Sequence, residues 1–193
     1  MDLPADQVFE LIDTRQSVGL LTEPVPSATQ LQQAIQAGLS APDHHRLRPW
    51  QFMVVQGDAR RQMGQVLSAA LAAQGETDPQ QLERVRQQPL RAPMILICVA
   101  KIQSHPKVPA FEQLLSAGAA IQNVLLMLHA QGFSTMWRTG ALVEHPQVKS
   151  AFGLTTEDQI AGFVYVGTAG RELPPRSQLP VADFLSDWPA STD

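Results

Sequence analysis

The sequence predicts one domain, α/β or α+β in class, with a central sheet and a C-terminal arm. Three observations lead there. A chain of 193 residues with 44% apolar side chains can bury a core of its own and is short for two domains. Segments with apolar residues at helical spacing are interleaved with short, nearly continuous apolar runs. From residue 168 onward the chain is rich in proline, and Phe184 and Trp188 follow no regular period there. Residues 1–193 are thus expected to form a single unit, with 168–193 as an extension whose aromatic side chains need a surface to cover.

Each element has a local reason. Val8, Phe9, Leu11 and Ile12 share one face of a helix over 4–14. Ser27 and Gln30 have capping-box spacing and start a helix carrying Leu31, Ala34, Ile35 and Leu39, which Pro42 stops. Residues 51–56 (QFMVVQ) read as a strand ended by Gly57-Asp58, and Asp58 is expected to cap a helix running to about Ala73. Asp78-Pro79 combines an N-cap with a first-turn proline and opens a polar helix that Pro89 closes. The continuous apolar run 93–100 (PMILICVA) suits a strand covered on both faces. Residues 111–130 form the longest helix, with Gly132 as its terminator. Its stretch Ser116-Ala117-Gly118-Ala119-Ala120 is small enough for a helix or flat ligand to approach closely, though a tight core would use it too. A short strand over 133–137, a short helix opened by His145-Pro146 and ended by Gly153, and a final strand over 159–167 (QIAGFVYVG) complete the order.

Composition excludes several functions. Fourteen basic against 18 acidic residues give a formal charge of -4, which argues against a charge-driven grip on nucleic acid or anionic lipid. The apolar run 92–100 is shorter than the ~18 residues that span a bilayer, and no basic start with an apolar run marks a secretory signal. The single cysteine, Cys98, sits inside an apolar strand and reads as a packing residue, and no Cys/His cluster has metal spacing. A soluble, cytoplasmic protein is expected. Among the 12 glycines no two are two apart and none four apart, so there is no GxGxxG turn and no GxSxG elbow. The one pair five apart, Gly162 and Gly167, precedes Thr168 in place of the phosphate-loop lysine.

Three loops could carry chemistry. Thr14-Arg15-Gln16-Ser17 follows the first helix and offers a guanidinium fork with a hydroxyl, a match for a phosphate monoester; an arginine there also complements the helix dipole. Residues 40–50 (SAPDHHRLRPW) form a proline-bounded loop with His44, His45, Arg46 and Arg48, suited to an anion, to the polar edge of a ring, or simply to solvent. Trp137-Arg138-Thr139-Gly140 ends a strand, where indole, guanidinium and hydroxyl are expected to converge. None of the three holds a nucleophile beside a base or a pair of carboxylates. The set suits holding a flat anionic cofactor that carries out the chemistry itself.

The joint order of these motifs resembles the nitroreductase family: R-x-S at Arg15 to Ser17, E-P-V-P at 23–26, A-P-D-H at 41–44, P-W at 49–50, K-V-P at 107–109, W-R-T-G at 137–140 and a last strand ending V-G-T. The resemblance runs from about Leu11 to about Thr168. It implies an α+β fold, a central mixed sheet flanked by helices, and a homodimer with FMN at the interface and the C-terminal arm lying across the partner. It implies an oxidoreductase that passes hydride from NAD(P)H through FMN to nitroaromatic, quinone or similar electron-poor acceptors by ping-pong turnover, with no catalytic side chain of its own and no metal. Carried over by position, Arg15, Gln16 and Ser17 would hold the phosphate end, and Ser40 and His44 would come from the other subunit. Trp137, Arg138 and Thr139 would line the rest. Gln16 and Ser40 stand where relatives can carry longer basic residues, and Arg171 or Arg176 could add to the phosphate pocket. Two rival readings share the same residues: an FMN-dependent dehydrogenase or oxidase using oxygen, and a flavin-binding module without turnover.

Overall fold

The computed structural model describes residues 4–188. The elements in chain order are α1 (Ala5–Thr14), β1 (Leu21–Thr22), α2 (Ala28–Gly38), β2 (Gln51–Gln56), α3 (Ala59–Ala73), α4 (Pro79–Gln87), β3 (Met94–Ala100), α5 (Ala110–Ala130), β4 (Ser134–Arg138), α6 (Pro146–Ala151) and β5 (Gln159–Ala169). Short 3-10 turns occupy His44–Arg46, Gln88–Arg91, Ala141–Glu144 and Val181–Asp183.

The central strand β3 is buried at all seven positions, as its unbroken apolar run requires. Its side chains alternate between two cores. Met94, Leu96 and Cys98 join Ile121, Val124 and Leu128 of α5 on one face, while Ile95, Ile97 and Val99 join Met63 and Leu67 of α3 and Val148 of α6 on the other. The sheet order is β1-β5-β3-β2, with β4 also paired to β5. Every pair of strands is antiparallel, and the mixed character rests on one parallel bridge, Ser17 to Thr135. Along one edge of β5, β4 pairs residues 163–167 and β1 pairs 168–169, so the two lie end to end.

Most local signals act as read. The Ser27 hydroxyl accepts from the Gln30 N–H while the Gln30 side chain accepts from the Ser27 N–H, and Asp78 Oδ1 accepts from the Gln80 N–H at 2.9 Å ahead of Pro79. Gly132 takes a left-handed φ of 85° just past α5. Cys98 is buried, which pushes its thiol pKa far up and leaves it inert.

The structure departs from the sequence reading at several points. Asp58 precedes α3 but its carboxylate makes no capping hydrogen bond, because its backbone is already helical there. The two-residue β1 was not foreseen, since a pair so short has no periodicity, and β5 runs two residues past Gly167 to meet it. The apolar run 92–100 is not the relevant one for a membrane: α5, with 21 residues and a mean hydropathy of 1.3 over its most apolar 18, is long and apolar enough to cross a bilayer by length and composition. It packs instead against α2 and the sheet, burying Ala117, Ala120, Ile121, Val124, Leu125 and Leu128. The amphipathic α1 buries none of its residues, and Val8, Phe9 and Ile12 stay exposed.

Near the start of β5, Asp158 is buried and accepts from the Lys101 ammonium and from the Thr155 N–H. Burial alone would raise its carboxyl pKa, but these partners outweigh it and hold the group below the usual range. The native value is depressed, so the stabilisation is complete above the unfolded aspartate value of about 3.9 and is lost as pH falls through the lower native value. We expect Asp158→Ala to cost about 1–3 kcal/mol at neutral pH and to remove part of the acid limb of a stability-versus-pH curve, checked by urea unfolding between pH 2 and 7.

Candidate functional site

The first candidate loop is held on the edge of the sheet. Ser17 bridges Thr135 of β4, and the Val18 N–H donates to the Thr135 carbonyl at 2.9 Å. A crevice of about 350 Å³ lies beside it, lined by Thr14, Gln16, His129, Ser134 and Gly170 to Leu173. The start of the C-terminal arm folds back over the loop. The Gln16 amide donates to the Pro174 carbonyl at 2.9 Å, and Arg176 donates to the Arg15 carbonyl at 2.6 Å. Partial burial and the nearby Arg176 guanidinium both push the Arg15 pKa down. His129 hydrogen bonds Thr14 at 3.0 Å, and burial followed by the Arg15 charge lowers its pKa. Neither Arg15 nor Arg176 has a carboxylate partner among the described residues. Two like charges this close, without an ion-pair partner, are a placement that a bound anion would relieve. Of the two arginines considered after the last strand, Arg176 is the one tied to Arg15, while Arg171 lines the crevice.

Three residues along β4 from Ser134, roughly 10 Å away, Trp137 is 36% exposed and donates its indole N–H to the Ala161 carbonyl at 3.1 Å. The ring lies across Gly162, where any Cβ would collide with the indole and with the Arg138 carbonyl. Gly118 of α5 lies under the far edge of the same ring. The small stretch of α5 thus makes room for Trp137.

The expected convergence at 137–139 does not occur through side chains. Successive β4 residues point to opposite faces. Trp137 lies on the α5 face, whereas Arg138 projects to the α3 face and stacks its guanidinium over Tyr165 at 5.8 Å. Thr139 lines the same α3-face cavity as Arg138. The alternation of the strand was legible in the sequence and predicts this split.

The 40–50 loop is tightly specified. His45, Arg46 and Arg48 all adopt left-handed φ values, 60°, 56° and 53°, which cost free energy in non-glycine residues. Asp43 holds the turn by accepting from the Leu47 and Arg48 N–H groups at 3.1 and 2.7 Å. Gln103 donates to the Leu47 carbonyl, and Gln103 is itself clamped by the buried Gln113 of α5. His44 Nδ1 meets Glu112 Oε2 at 2.8 Å, and the Ser40 hydroxyl donates to the Ala37 carbonyl. Glu112 and His129 stand at opposite ends of α5, 17 residues or about 25 Å apart. Within one chain, therefore, His44 is not brought beside Arg15, Gln16 and Ser17, while Ser40 lies by the middle of α5, where Asn123 donates to the same Ala37 carbonyl. The sequence reading also missed His129, Pro174 and Gln113; none sits in a motif, and only the fold brings them to these loops.

Several large apolar side chains are left exposed: Phe111, Leu114 and Leu115 on α5, Val8, Phe9 and Ile12 on α1, and Leu179, Phe184 and Trp188 on the arm.

Comparison with known proteins agrees with the architecture. A model described as "Nitroreductase family" matches residues 12–168. The Escherichia coli K12 protein named "Putative NAD(P)H nitroreductase YdjA" is 43% identical over 160 residues, covering 83% of this chain and 87% of that one. The structure of a nitroreductase-like family protein from Bacillus cereus superposes with a TM-score of 0.83 at 18% identity, covering 98% and 100% of the two chains. A Bacteroides fragilis nitroreductase solved with bound FMN superposes with a TM-score of 0.71 at 20% identity, covering 94% and 98%.

Replacing Gly162 should unseat the indole. We expect Gly162→Ala to cost about 2 kcal/mol, or roughly 4–8 °C in Tm for a domain of this size, and to shift tryptophan emission as Trp137 leaves its hydrogen bond; scanning calorimetry with fluorescence reads both.

Proposed function

The chain belongs to the nitroreductase family, and on that premise we propose that it is an FMN-dependent oxidoreductase taking hydride from NAD(P)H and delivering it to small electron-poor acceptors such as nitroaromatics or quinones. The observation that carries this reading is the return of Arg176 onto the Arg15 loop, at one end of a strand that has the partly exposed Trp137 at its other end. A phosphate fits the cationic end, and a flat ring fits the aromatic end. FMN, when bound, supplies the hydride-accepting and hydride-donating ring.

The chain's own part is positional and electrostatic. Arg15 and Arg176 neutralise phosphate charge, with Gln16 and Ser17 adding neutral donors at the same loop. Trp137 walls the ring end. The main chain at Arg138 and Thr139 borders it, since the Arg138 side chain leaves for the other face. His44 lies at the far end of α5, and with Ser40 it completes the site from a second copy. When two α5 helices pack antiparallel, the Glu112 end of one meets the His129 end of the other. That pairing also covers Phe111, Leu114, Leu115 and the α1 face, and gives the aromatic arm a surface to lie on.

Two measurements test this. The purified protein should carry a flavin spectrum that bleaches on anaerobic addition of NADH or NADPH, and Arg15→Ala should weaken FMN binding roughly 30-fold, the loss of one charged hydrogen bond of about 2 kcal/mol. Flavin that no nicotinamide reduces, or FMN affinity untouched by the substitution, would overturn the reading. Sedimentation should give a dimer, and a monomer retaining FMN would show that Ser40 and His44 are not shared.

A further inference from the structure

The sheet separates Trp137 from a second cavity that the proposed flavin site does not use. It measures about 390 Å³ and lies between the β4–β5 surface, the α3–α4 hairpin and the turn after β4. Leu67, Val85, Leu142 and Phe163 give it apolar walls, and Gln88, Arg138 and Thr139 supply the polar groups. Tyr165 also lines it: the residue is 4% exposed, and no hydrogen bond from a described residue reaches its hydroxyl. That hydroxyl is free to donate to a ligand in the cavity.

The charge balance specifies what kind of ligand. No carboxylate lines the cavity. Arg138 has no ion pair among the described residues and rests only on the Tyr165 ring. Arg91 is close enough that its charge, with that of Arg138, acts on the Tyr165 hydroxyl, although burial is the larger influence and raises its pKa. Donors thus outnumber acceptors at the rim, and apolar and aromatic groups form the body. This combination of an anchoring arginine with an apolar pocket is the usual build of a small-molecule site.

We propose that this cavity is a second ligand site, for a small aromatic carboxylate whose acid group meets Arg138 and the Tyr165 hydroxyl while its ring packs on Phe163, Leu67 and Val85. The site does not depend on the flavin reading, because it stands on the opposite face of the sheet.

Calorimetric titration of the purified protein with 2-naphthoate tests it, with 2-naphthol as the uncharged comparison. Naphthoate should bind once per chain and at least tenfold more tightly than naphthol. Val85→Trp, which fills the cavity from α4, should abolish that binding, and Tyr165→Phe should weaken it about fivefold to tenfold. A circular dichroism spectrum and thermal midpoint like those of the parent would show that each variant is folded. Binding that survives Val85→Trp in a folded protein, naphthol binding as tight as naphthoate, or naphthoate binding that only perturbs the visible flavin spectrum would each overturn the proposal. The Tyr165→Phe arm keeps the test decisive should the bulkier variant fail to fold.

Discussion

The antiparallel pairing of β4 with β5 is the constraint on which the site depends. It fixes Trp137 against Gly162 and, through the bridge from Ser17 to Thr135, hangs the Arg15 loop on the same edge. One strand therefore sets both the distance and the direction between a cationic loop and an aromatic wall. Because side chains alternate across a strand, the same pairing sends Arg138 to the other face, so neighbours in sequence serve different cavities. A slip of one residue in this register would exchange the two faces and dismantle both.

The second constraint is the unfinished surface. α5 buries one side against the sheet and α2 but leaves Phe111, Leu114 and Leu115 exposed, and α1 exposes Val8, Phe9 and Ile12. An exposed apolar area of this kind is normally covered by another molecule. The loop bearing Ser40 and His44 is strained at three non-glycine residues and braced by Asp43.

Much of this was legible in the chain. The capping box at Ser27, the Asp78-Pro79 start, the seven-residue buried run of β3 and the glycine past α5 are local signals, and local backbone chemistry answers to them. So were the Arg15 to Ser17 and 137–140 motifs as candidates. The Asp58 cap failed because capping needs a non-helical backbone that neighbouring turns did not leave it. The short β1 escaped because two residues carry no period.

By itself the sequence determined the main helices and strands, the buried run of β3, and which loops are polar enough to hold an anion, since all three follow from spacing and side-chain chemistry. Only the tertiary structure decided that Arg176 returns to Arg15, that His44 stands a helix length away, and that Trp137 and Arg138 part company. The physical reason is that these are relations between residues distant in sequence. They are set by strand register and helix length, which no single segment encodes.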